Sequence, residues 1–204
     1  QHMRDAIARD LHDDVGSTLG SINFYSEALK RKMIATGDPA SQDVADRIGH
    51  SSREMIDRMA DIVWSVDPQN DDGASLLERM QAFATDLLAT RGVVVEWSAP
   101  VNLATVKMNT ELRRNLFMIF KEAVHNAAKY AQCSSLFVSL QVQGNDIVLE
   151  IRDNGIGFDP QNVDSYNGNG LVSMNKRASM LGGKFAVQSN IGNGTSIRVT
   201  VPVR

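Results

Sequence analysis

Four short stretches carry residue types that can do chemistry. Asp153-Asn154-Gly155-Ile156-Gly157-Phe158 follows an alternating apolar run, Asp146 to Arg152, that reads as a strand. The strand breaks at an acid followed by two glycines one residue apart, where backbone can approach a ligand without a Cβ in the way. A carboxylate fixed at a strand end beside such a loop can accept a hydrogen bond from an exocyclic amine such as adenine's. Calcium loops and ordinary turns use the same letters. Glu122, Asn126 and Lys129 are spaced four and three apart on an apolar helical stretch, hence on one face. An amide oxygen and a carboxylate suit a Mg²⁺ ion that bridges phosphates, and a lysine suits a phosphate oxygen; a solvated helix edge is the plainer alternative. Gly168-Asn169-Gly170 opens a helix predicted over 171–181, whose first N–H groups favour anions. Gly192-Asn193-Gly194-Thr195 turns into the last strand and reads equally as a hairpin turn.

The fifth candidate stands far upstream. His12 is flanked by Asp10, Asp13 and Asp14, one position beyond an apolar stripe. Such a histidine is either a boundary side chain or a nucleophile, because neutral imidazole is available near neutral pH. A neighbouring carboxylate can orient the ring and take its proton.

The elements that must position these groups fall into two sets. Ile7, Leu11, Val15, Leu19, Ile22, Leu29 and Met33 repeat at spacings of four, four, four, three, seven and four, one stripe on a helix from 4 to about 35. Gly37 and Asp38-Pro39 suit a C′ position and the start of a second helix. Val44, Ile48, Ser52, Met55, Met59, Ile62 and Val66 continue the period until Asp67-Pro68. A hairpin with a stripe on each helix cannot cover both alone, and pairing with a copy of itself gives a four-helix bundle; docking on the second domain is the alternative. The breaker-rich segment 68–73 divides a helical hairpin, 1–67, from a second domain, 68–204. There, helices over 76–88, 110–131 and 171–181 alternate with strands at 93–97, 135–143, 146–152, 184–189 and 195–202. That pattern predicts an α/β sandwich, one sheet with helices on one face.

Composition narrows the classes. The chain has 204 residues, 43% apolar and 22% charged, as ordinary globular domains do. A net charge of −3 supplies no basic field for nucleic acid. No run approaches the roughly 18 apolar residues a membrane span needs. The single cysteine, Cys133, forms no internal disulfide and fits a reducing compartment.

Taken in order, these stretches resemble the ATP-binding domain of the gyrase, heat-shock-90, histidine-kinase and mismatch-repair superfamily. Lys121 to Tyr130 resembles its N box, Asp153 to Phe158 its G1 box, 168–183 its G2 region and Gly192 to Thr195 its G3 turn. Upstream, Arg9 to Gly16 resembles the phosphoacceptor box of sensor histidine kinases that signal to NarL-type, helix-turn-helix response regulators. Asp61 to Pro68 is similar to the end of that class's second dimerisation helix. The resemblance implies a homodimeric kinase in which His12 is phosphorylated, Asp13 orients or deprotonates it, and Glu122 assists. It implies ATP and Mg²⁺ as cofactors, with Asn126 and Glu122 around the metal and Lys129 on phosphate. Asp153 would meet the adenine amine and Thr195 the adenine rim, with Gly155, Gly157, Gly168, Gly170 and Leu171 also contacting the nucleotide, under a lid over 159–169. A response regulator would receive the phosphoryl group. The membrane would enter only through segments upstream of a cytoplasmic fragment. Two positions depart from the pattern. Tyr130 stands where this class often has histidine. Ser17 stands where a glutamine often positions water, so phosphatase activity is expected to be weak. The competing readings are a nucleotide-gated interaction module without phosphotransfer and an anti-sigma-type serine kinase, neither of which calls for a histidine on a long hairpin.

Overall fold

A computed structural model describes residues 72–160 and 169–203, together with scattered positions between 21 and 65. The chain falls into two compact units, Gln1–Val66 and Asp67–Arg204.

In the first unit the described residues are helical. Among them are Ile22, Leu29, Val44, Ile48 and Met55, all from the two apolar stripes, and Val44 is buried. The Arg47 guanidinium lies 5.9 Å from the Tyr25 ring centroid, so residues of the two predicted helices approach one another. His12, Asp13 and Ser17 lie outside the described residues.

The second unit is a five-stranded mixed sheet with three helices packed on one face. Helix α1 (Gly73–Leu88) starts one residue after Asp72, whose side chain accepts the Ser75 N–H at 2.8 Å as N-cap. Gly73, expected in the linker, is instead the first residue of this helix, buried against Leu103 with its N–H on the Val106 carbonyl. Strand β1 (Val94–Ser98) follows, then α2 (Thr110–Asn126), capped by the Asn109 side chain on Leu112 N–H at 2.8 Å. Strands β2 (Ser135–Gln143) and β3 (Asp146–Asp153) form a hairpin; α3 (Asn169–Met180), β4 (Lys184–Ser189) and β5 (Thr195–Pro202) complete the unit. The strand order is β1-β2-β3-β5-β4, with β1 and β2 parallel and the other pairs antiparallel.

The two-residue period of the strands decides which side is covered. Leu136, Val138 and Leu140 of β2, Ile147, Leu149 and Ile151 of β3, and Ile197, Val199 and Val201 of β5 are buried. Phe137, Arg152 and Arg198 belong to the opposite side, where Arg152 and Arg198 are exposed. Leu112, Leu116, Ile119, Phe120 and Ala123 bring α2 onto the covered face, and Trp97 of β1 meets Phe120 at 5.9 Å between centroids. Each large apolar side chain so buried gains about 1.5–3 kcal/mol.

One expectation is altered. The helix predicted over 110–131 is α-helical only to Asn126; Ala127–Ala131 form a π-helical turn that ends at Gln132 in the left-handed region, φ 52°. Widening the last turn re-aims every side chain beyond Asn126.

Candidate functional site

The covered face of the sheet ends in a row of a different kind. By register, Leu136, Asp153, Thr195 and Ser189 stand side by side across β2, β3, β5 and β4. Three of the four are polar, although the next residues on the same face of β2, β3 and β5, Val138, Ile151 and Ile197, are core residues. Above this row opens a cavity of about 480 Å³, within the range of small-molecule sites. Ala123, Asn126, Ala127, Tyr130 and Ala131 from α2 and the π turn line one wall, Leu171 of α3 another, and Asp153, Ile156, Gly157, Phe158, Asp159, Thr195 and Ile197 the rest.

Asp153 is only 8% exposed. Its Oδ1 accepts the Gly155 N–H at 2.9 Å and the Thr195 N–H at 3.3 Å; Oδ2 takes neither. Burial raises its pKa above the ordinary carboxylate value, against the lowering effect of those two backbone bonds. The carboxylate is therefore oriented by one oxygen in a cavity with largely apolar walls.

The loop after Asp153 is held from three directions. Asn154 takes the Ser134 and Ser135 N–H groups on its side-chain oxygen, both at 3.0 Å, and donates to the Ser134 hydroxyl at 2.9 Å. Ile156 donates its N–H to the Ala131 carbonyl at 2.8 Å, and its own carbonyl accepts from Gly192 at 2.6 Å. Phe158 N–H reaches the Ser189 hydroxyl at 2.9 Å. Gly155 presses against the Ala131 carbonyl so closely that a Cβ would overlap it, and Gly157 has φ 60° with the Asn190 carbonyl where its Cβ would stand. Both glycines are thus required by this docking.

The other expected residues are distributed around the cavity. Asn126 lines it, at the last position of α2. Glu122 does not line it, but its carboxylate lies where a side chain on Gly170 would stand, with the Asn126 amide in contact beside it. An acid and an amide thus lie against the first turn of α3. A carboxylate and a side-chain amide are ligand types that suit a Mg²⁺ ion bridging phosphates. Lys129 is exposed and does not line the cavity; its Nζ lies 4.9 Å from the Tyr130 ring centroid, and the contact with that side chain raises its pKa. The π turn accounts for this, since the one-face spacing of Glu122, Asn126 and Lys129 assumes an unbroken α-helix. Tyr130 lines the cavity. Gly168 lies outside the described residues.

Ser189 escaped the sequence reading. It is 8% exposed and joins the Asp153–Phe158 loop to the Gly192–Thr195 turn through its hydroxyl. Phe185, Val187 and Ser189 share one face of β4, half-buried at the first two and buried at the serine, but that burial follows from the pairing of β4 with β5 and left no mark in the sequence.

Residues 111–204 match the family of histidine kinase-, DNA gyrase B- and HSP90-like ATPases, and residues 4–71 match a histidine kinase family. The oxygen sensor histidine kinase NreB of Staphylococcus carnosus is 27% identical over 209 aligned residues, covering 100% of this chain and 57% of its own length. The sensor histidine kinase LiaS of Bacillus subtilis is 28% identical over 98% of this chain and 54% of its own length. The chain therefore spans a little over half the length of these curated relatives. Among solved structures, the Acinetobacter baumannii histidine kinase AdeS matches with a TM-score of 0.61 at 15% identity, over 95% of this chain and 98% of that one. The histidine kinase domain of the Erythrobacter litoralis EL346 blue-light activated kinase matches with a TM-score of 0.57 at 16% identity, over 92% and 94%. Those likenesses concern the fold. Two family matches in sequence order, with relatives aligned along the whole chain, place residues 4–71 with a histidine kinase family and residues 111–204 with the histidine kinase-, DNA gyrase B- and HSP90-like ATPases, helices followed by an α/β ATPase domain.

Proposed function

We propose that the chain binds ATP in the cavity beside Asp153 and transfers the γ-phosphoryl group to His12, from which it passes to an aspartate of a response regulator. The observation that carries the reading is the orientation of Asp153, an acceptor pinned through Oδ1 at the end of a largely apolar cavity. Such a site suits a flat base with an exocyclic amine. The phosphates would run toward Asn126, Glu122 and the first turn of α3, where N–H groups favour anions. A divalent cation held there by Asn126 and Glu122 would offset phosphate charge.

In the transfer, the unprotonated imidazole nitrogen of His12 forms a bond to phosphorus as the bond to the bridging oxygen of ADP breaks. Asp13 holds the ring and takes up its proton. In the second step an aspartate oxygen of the regulator replaces the imidazole. The working species is a homodimer, because a two-helix hairpin leaves its apolar stripes uncovered. With Ser17 in place of a water-positioning amide, dephosphorylation of the regulator is slow.

Labelled ATP tests the reading. Wild type should acquire acid-labile, base-stable label. His12→Gln should lose all label and keep nucleotide binding, and Asn126→Ala should lose label through weakened metal and phosphate binding. Full labelling of His12→Gln, or label stable to acid, would remove His12 from the mechanism.

A further inference from the structure

The hydroxyl of Ser189 has three neighbours and one proton. It accepts the Phe158 N–H at 2.9 Å, and lies 3.0 Å from the Gly194 carbonyl oxygen and 3.0 Å from Thr195 Oγ1. A hydroxyl offers one donor and two acceptor positions. The Gly194 carbonyl can only accept, Gly194 is buried, and among the described residues the Ser189 hydroxyl is the donor that reaches it. The complete assignment therefore gives the Ser189 proton to Gly194. The remaining Ser189 lone pair must then take the proton of Thr195. If Ser189 donated to Thr195 instead, a buried carbonyl would lose its partner.

This assignment determines what Thr195 shows to the cavity. Its hydroxyl proton is turned toward Ser189, so Oγ1 has only lone pairs left to offer the cavity that Thr195 lines. Asp153, directly across the β3–β5 ladder from Thr195, is also an acceptor when ionised. The polar end of the cavity is thus made of two acceptors.

We propose that Ser189, which does not line the cavity, is a positioning residue that sets base specificity: by holding the Thr195 proton it reserves this end for a base presenting amine hydrogens and rejects one presenting a carbonyl. The inference rests on the nucleotide reading above and names a residue that controls its selectivity. A carbonyl at the position of adenine's amine would face two oxygens with no donor between them, the arrangement that gives sites their largest discrimination. With the serine hydroxyl removed, the Thr195 proton is free to rotate into the cavity and serve such a carbonyl.

The experiment compares ATP with inosine triphosphate, which carries a carbonyl in place of the 6-amine, by competition against a fluorescent ATP analogue on the full chain. Wild type should prefer ATP. Ser189→Ala should bind inosine triphosphate more tightly and narrow the ATP preference by about five- to tenfold, the scale of one hydrogen bond. The gain should vanish in Ser189→Ala/Thr195→Val, which has no hydroxyl to rotate. A purely structural serine would weaken both nucleotides together and leave their ratio unchanged, and that result overturns the proposal. Thr195→Val alone gives an independent reading that does not require Ser189→Ala to fold: losing an acceptor should weaken ATP more than inosine triphosphate, and a widened ATP preference would show that Thr195 donates to the base. If wild type binds neither nucleotide, the nucleotide reading itself fails; if it binds ATP and the ratios do not move, only the role of Ser189 does.

Discussion

Asp153 is held for binding at a cost to the fold. Its folded-state pKa lies above the unfolded value because burial disfavours the charge. The sign follows from linkage: ionisation costs the folded state nothing below the unfolded pKa and its full amount above the folded one. Asp153→Asn should therefore raise the melting temperature of nucleotide-free protein at neutral pH, and the gain should disappear on acidification through the carboxylate range. Two backbone N–H groups, from Gly155 and Thr195, will hold the amide by its oxygen. The amide NH₂ then faces the cavity, donor against donor with an exocyclic amine. ATP affinity should fall by roughly ten- to a hundredfold, corresponding to about 1.5–3 kcal/mol for a hydrogen bond to a charged group. In wild type, affinity should decline on acidification at a pH above that of an ordinary aspartate. Calorimetry across pH checks both; an Asp153→Asn protein less stable than wild type and equally tight for ATP would contradict them. Asp153, Gly155, Gly157 and Thr195 were legible only in company: each stretch alone also reads as an ordinary turn, and it was their order along the chain that resembled a nucleotide site. Ser189 was not, because a serine closing a strand is common and its role exists only once β3, β4 and β5 are in register.

At the scale of elements, alternation in the strands and the three-four period in the helices identified the five strands and three α-helices of the second unit to within a few residues, and missed the short 3-10 helices Ala89–Arg91 and Val101–Thr105. The π turn Ala127–Ala131 had no such signature. Ala127-Ala128-Lys129-Tyr130-Ala131 continues a good helical pattern, and what widens the turn is tertiary: Ala131 must offer its carbonyl to Ile156 and receive Gly155 against it. The one-face placement of Lys129 failed for the same reason. This contact also makes the loop sensitive to a single methyl group. Gly155→Ala would place a Cβ on the Ala131 carbonyl, with the π turn on one side and Asp153 two residues back. Overpacking of this kind costs about 1–3 kcal/mol. Because relief must come from moving the loop that carries Asp153, Gly155→Ala should also lose most of the ATP-induced rise in melting temperature. Thermal denaturation with and without nucleotide separates the two effects; a lowered baseline with an undiminished ATP shift would mean that the loop and the Asp153 carboxylate are not coupled.

For the whole molecule, the division at Val66 and Asp67 separates the proposed acceptor from everything that lines the cavity, since those residues run from Ala123 to Ile197. Binding should thus be a property of 67–204 alone and transfer a property of the joined chain. The fragment 67–204 keeps the Asp72 cap and the Gly73 start of α1, so its first helix is complete. It should bind ATP as tightly as the full chain does. Joining two reactive partners by a short linker raises their effective concentration to about the millimolar range. Severing them should turn labelling of His12 from a first-order process into a bimolecular one. Mixing the fragment with full-length Asn126→Ala, which keeps His12 but is impaired at its own nucleotide site, should therefore label His12 at a rate proportional to fragment concentration. At micromolar fragment that rate should lie far below the rate of the intact chain. A rate independent of fragment concentration would mean that the acceptor carries its own donor, and a fragment unable to bind ATP would show that the first unit completes the cavity.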